Sequence, residues 1–108
     1  MRTVDIPDME FRRHRRYVCA CSVYVGGLKG ERMSASDLSA SGVRLQSARL
    51  FGPGRVIEIE FDGYPALVQG TIRHEVAADA GGWYLGIEFT ETQPKLLEMV
   101  LPALSGKP

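Results

Sequence analysis

Two clusters of side chains in this sequence have the types and spacing to hold an anionic guanine nucleotide. Residues 12–16 read Arg-Arg-His-Arg-Arg, an R-x-x-x-R pattern bounded by Arg12 and Arg16 with Arg13 inside it. Residues 37–42 read Asp-Leu-Ser-Ala-Ser-Gly, a D-x-S-x-x-G pattern of Asp37, Ser39 and Gly42. Guanidinium groups bind phosphate oxygens, stack on purine faces and fork onto guanine O6 and N7. A carboxylate accepts from the guanine N1–H and N2–H donors, which point the same way. A hydroxyl completes an edge, and glycine lets backbone come close or take positive φ. The candidate ligand contacts are therefore Arg12, Arg13, Arg16, Asp37, Ser39 and Gly42, with Gly42 weighted towards shaping the turn into the next strand.

The composition narrows the setting of these clusters. At 108 residues the chain holds one core. No apolar run approaches the roughly 20 residues of a membrane helix. The N-terminus lacks an apolar signal core, so the chain reads as cytoplasmic. Formal net charge is zero but unevenly placed: ten basic and five acidic residues up to Arg55, three basic and eight acidic from Val56 onward. One dense arginine cluster on a neutral chain suggests a local anion site; a nucleic-acid track needs a wide basic face.

The elements that must position the clusters follow from periodicity. Residues 1–10 are polar, contain Pro7 and read as a flexible arm; residues 11–104 read as the folded domain. Residues 17–27 are β-branched and aromatic without charge, hence a strand, followed by a glycine turn and a short strand over 31–36. The 37–42 motif reads as a loop or tight turn, with a strand starting directly after it at Val43. Ile57, Ile59 and Phe61 alternate with Val56, Glu58 and Glu60, a half-exposed strand closed by Asp62-Gly63. A long strand spans 65–76 with a bulge or bend expected at Gly70. Trp83, Leu85, Ile87 and Phe89 form the inward face of the last strand. A helix is expected over 92–101, capped by Thr92, with Pro94 in its first turn and Leu96, Leu97, Val100 and Leu101 as its apolar stripe. Cys19 and Cys21 share a strand face and read as buried, inert thiols.

The two motifs in this order, with Val68-Gln69-Gly70-Thr71-Ile72 and Tyr84-Leu85-Gly86-Ile87-Glu88-Phe89 as late strands, resemble the PilZ domain family over about residues 10–101. The resemblance implies an all-β fold: a six-stranded antiparallel β-barrel with a C-terminal helix. It implies a bacterial receptor for the second messenger cyclic di-GMP, with Arg12, Arg13, Arg16, Asp37, Ser39 and Gly42 as the site. His74 lies where some relatives place a further contact; it is either a base-stacking residue or an exposed strand residue. Many relatives carry a basic residue where Phe11 stands, which leaves open whether one nucleotide or a stacked pair is bound.

The expected function is therefore that of a cytoplasmic receptor. Four arginines within residues 12–16 repel one another until a dianionic ligand gathers them, so binding is expected to order the N-terminal arm and change a surface offered to an unidentified protein partner. No nucleophile–base pair is visible, and His14 among arginines is a poor general base; the chain reads as a non-enzyme. Cys19, Cys21, His14 and His74 offer no metal spacing, and no cofactor is expected beyond the ligand. Two alternatives stand beside this reading: a PilZ-like protein-interaction module that binds no nucleotide, and a small RNA- or DNA-binding barrel. Intact motifs weigh against the first and the acidic late half against the second. Neither a membrane nor a nucleic-acid partner is expected.

Overall fold

The structure, a computed structural model, describes residues 15–26 and 30–100. Six strands, β1 (Tyr17–Val25), β2 (Glu31–Leu38), β3 (Gly42–Ser47), β4 (Val56–Phe61), β5 (Leu67–Ala77) and β6 (Trp83–Phe89), precede one helix, α1 (Pro94–Val100). All pair antiparallel and close into a barrel in the order β1-β2-β3-β6-β5-β4. This is the six-stranded antiparallel barrel with a C-terminal helix that the family resemblance implies. No helix among the described residues is long and apolar enough to cross a membrane.

Alternation drives the closure. Ile57, Ile59 and Phe61 of β4 point inward, as do Leu85, Ile87 and Phe89 of β6 and Val43 and Leu45 of β3, all buried. Phe61 and Phe89 meet edge to face, with ring centroids 6.3 Å apart, at the heart of this core. Closure leaves little unpaired sheet edge, which suits a small all-β chain. Leu96 of α1 is fully buried against the same core, so the apolar stripe of the helix packs on the barrel.

Several boundaries shift from their sequence expectations. β2 continues to Leu38 and takes in the first residues of the D-x-S-x-x-G motif. Leu38 is fully buried and pairs with both Tyr17 and Val43, and that burial carries the strand onward. Gly70 is not the bulge of β5. It pairs regularly with Ile57 and Phe89, and a Cβ there would come within 2.6 Å of the Ile87 side chain. The irregularity falls between Ile72 and His74. The helix starts at Pro94, with Gln93 before it, and residue 101 lies outside the described residues. Cys19 and Cys21 pack against the core from one face but are half-buried.

Candidate functional site

Asp37 reaches the barrel's outer surface because of a bulge. Met33 and Ala35 point inward, so strict alternation would bury Asp37 as well. Ala35 pairs with Leu45 and Asp37 with Arg44, which leaves Ser36 as an extra residue. One inserted residue exchanges the two faces: Asp37 turns out and Leu38 turns in. The structure thus puts the carboxylate where a ligand can meet it while Leu38 stays in the core.

Arg16 arrives at the same place from the start of β1. Its Nη1 donates to Asp37 Oδ1, while Arg44 Nε lies 3.3 Å from Asp37 Oδ2. The side chains of Arg16 and Asp37 are 28% and 16% exposed, so this pair is screened less than a surface ion pair. Arg16 Nε is buried and has no hydrogen-bond partner. Like-charge repulsion among the arginines does not leave Arg16 free, because Asp37 supplies the opposite charge. Arg12 and Arg13 lie outside the described residues, as does the arm expected over residues 1–10.

Ser39 is buried, and its hydroxyl accepts the backbone N–H groups of Ser41 and Gly42, each at 3.2 Å. Its own N–H donates to the Gly42 carbonyl at 2.9 Å. Ser39 thereby shapes the turn, through the local side-chain-to-backbone bonding that serine favours. Gly42 is likewise structural: a side chain there would collide with the Ile87 carbonyl oxygen. The turn is tied down from outside by Phe89 N–H to Ser41 O at 2.8 Å and Gln93 N–H to Ala40 O at 2.7 Å. The motif therefore delivers one outward carboxylate from a rigid turn.

Beyond Asp37 a row of cross-strand partners crosses the outer face. Asp37 pairs with Arg44, Arg44 with Gly86, and Gly86 with His74. The bulge at Arg73 places His74 opposite Gly86, and the His74 ring occupies the space a side chain at 86 would need. Arg73 itself pairs with Glu88 at 2.7 Å. The Arg44 guanidinium lies 4.5 Å from the centroid of Tyr84. Sequence reasoning missed Arg44 and Tyr84. The signal was present: residues 37 and 44 flank the motif turn, and an antiparallel return over Val43 and Leu45 brings them face to face.

At the opposite end of the barrel an open groove of about 640 Å³ is lined by Arg49, Phe51, Arg55, Glu31 and Glu58 among others. Arg49 is paired with Glu31 at 3.0 Å and stacked on Phe51. Opposite charges balance there, so it is the weaker anion site. No group of three or more His, Cys, Asp or Glu among the described residues is placed to hold a metal. The Cys19 thiol, which donates to Ala35 O at 3.7 Å, has its pKa pushed up to about 12, first by burial and then by its contact with Cys21. It stays protonated and is a poor nucleophile.

The sequence matches the PilZ domain family over residues 10–102. The chain belongs to this family. Among solved structures, the PilZ barrel described here superposes with a TM-score of 0.71 on the Bacillus subtilis inhibitor of motility, MotI/DgrA, at 16% sequence identity. The match covers 90% of this chain and 52% of that one, so this chain spans about half the length of that relative. At that identity the likeness speaks for the fold. No curated protein sequence matches.

Proposed function

We propose that this PilZ domain is a receptor for cyclic di-GMP, bound on the outer barrel face where β1 begins and β2 turns into β3. The observation that carries the reading is the meeting of Arg16 with Asp37. The last arginine of one motif and the carboxylate of the other are brought together at one surface point. An ionised carboxylate offers about four lone-pair sites. Arg16 and Arg44 take one each, which leaves acceptor capacity for the N1–H and N2–H donors of guanine.

In this proposal Arg12, Arg13 and Arg16 hold the phosphates and the purine edge, and Asp37 reads the base. Ser39 and Gly42 fix the turn that aims Asp37, and His74 is an accessory contact. Ligand binding gathers the remaining arginines and draws the N-terminal segment onto the barrel, presenting a changed surface to a protein partner in the bacterial cytoplasm. The role is that of a receptor and adaptor, without catalysis.

Calorimetric titration with cyclic di-GMP, with cyclic di-AMP and GTP as controls, tests the reading. The proposal expects saturable binding of cyclic di-GMP and far weaker binding of the adenine analogue. No heat with cyclic di-GMP, or equal binding of both cyclic dinucleotides, refutes it.

A further inference from the structure

We infer that Arg44, backed by the ring of Tyr84, is a stacking platform for the purine base of the ligand. This rests on the receptor reading above and assigns a binding role to two residues outside both motifs.

The geometry is that of a preset plane. Arg44 sits on β3, two residues past Gly42, and projects outward. Its Nε donates to Ser36 Oγ at 3.1 Å and lies 3.3 Å from Asp37 Oδ2. Its guanidinium lies over Tyr84 at 4.5 Å. Tyr84 is itself held, because its hydroxyl accepts from Gln46 Nε2 at 3.3 Å. The platform is thus fixed by Ser36 and Asp37 from β2 and by Gln46 from β3. An arginine that is already immobilised loses less side-chain entropy when it meets a ligand.

The plane is nevertheless open. The Arg44 side chain is 45% exposed, which gives a flat group access to it. Its neighbour across the ladder is Gly86, whose side-chain space is taken by the exposed ring of His74. Arginine planes take purine bases by stacking, and an aromatic ring behind the cation completes a sandwich. Asp37, the next residue in the same row, stands beside this plane with acceptor capacity left. A guanine lying on Arg44 therefore presents its N1–H and N2–H edge towards Asp37. Stacking and edge reading fall on adjacent strands, one from each side of the motif turn.

A role confined to steering Asp37 makes a different forecast. Lysine keeps the positive charge beside Asp37 but has no plane to stack on. The test is calorimetry of wild type, Arg44→Lys, Tyr84→Phe and Tyr84→Leu with cyclic di-GMP. It is paired with NMR of the Arg44 side-chain protons in the free and saturated wild-type protein. The platform expects Arg44→Lys to lose affinity by about tenfold, as loss of one base-stacking contact does. It expects Tyr84→Phe, which keeps the ring, to bind as wild type and Tyr84→Leu to bind more weakly. It also expects upfield shifts of the Arg44 protons on saturation, from the ring current of a stacked base. Wild-type affinity in Arg44→Lys overturns the platform and leaves the receptor reading standing. So does a loss in Arg44→Lys with unshifted Arg44 protons, which assigns the residue to positioning Asp37. Absence of binding by the wild type itself overturns both.

Discussion

Arg16 and Asp37, 21 residues apart in sequence, form a partly buried ion pair on the outside of the barrel. The pair joins the two motifs on one face of the barrel. This gives Arg16 a structural share that Arg12 is not assigned. Arg16→Ala is expected to lower stability by about 1 kcal/mol, the scale of a partly screened, hydrogen-bonded ion pair. It is also expected to lower cyclic di-GMP affinity tenfold or more, about 1.4 kcal/mol. Arg12→Ala is expected to lower affinity alone. Urea unfolding and calorimetry on the two variants separate these effects, and identical profiles contradict the division.

Asp37 sits between two guanidinium groups and is expected to supply base selectivity more than affinity. Asp37→Asn keeps the size of the side chain and leaves Arg16 and Arg44 free to meet phosphate. The preference for cyclic di-GMP over cyclic di-AMP is therefore expected to fall by about tenfold or more, the worth of one good base-edge contact. Competition titrations of the two nucleotides measure the ratio. An unchanged ratio removes Asp37 from base reading.

Two glycines on the outer face are expected to respond in opposite ways. A Cβ at Gly42 meets the Ile87 carbonyl, a backbone atom of a paired strand that cannot step aside. Gly42→Ala is expected to cost about 2 kcal/mol or more of stability, the range of overpacking and forced backbone shifts. A Cβ at Gly86 meets the His74 ring, which is exposed and can swing away. Gly86→Ala is expected to fold with near-native stability and to move the His74 ring resonances. Thermal melts and NMR of the histidine ring check the pair.

Cys19 gives the fold a basic limit. Its pKa rises from about 9.0 to about 12, first through burial and then through Cys21. A thiol whose proton is held more tightly in the folded state stabilises the fold fully below its unfolded pKa. That contribution is lost as pH rises through the folded value. The decline is therefore expected between about pH 9 and 12. Urea midpoints across this range are expected to fall more steeply for wild type than for Cys19→Ala. Parallel curves contradict the assignment.

Much of the fold was legible because inward faces alternate without interruption. Ile57, Ile59 and Phe61, and Leu85, Ile87 and Phe89, could be placed by period alone, and the stripe around Leu96 marked the helix. The motif residues could be named, but not the way they meet. A bulge is a single inserted residue with no fixed composition, so nothing in the sequence marks Ser36 as the point that turns Asp37 outward. The same holds for Arg73, whose bulge sets His74 over Gly86, while Gly70 looked the better candidate because glycine is often found at bulges. Gly70 instead answers to close packing by Ile87. Ser39 shows the converse limit: serine in a motif can serve ligand or turn, and the sequence alone does not show that its hydroxyl holds the Ser41 and Gly42 N–H groups. Arg44 looked like an ordinary outward residue until register put it beside Asp37.

The most direct measurement of the central claim is an amide NMR titration of the whole chain with cyclic di-GMP. The account predicts saturable shifts at Arg16, across residues 37–42 and at Arg44, with Val56, Ile57 and Glu58 at the far groove unmoved. Shifts confined to that groove, or none at saturating ligand, would contradict it.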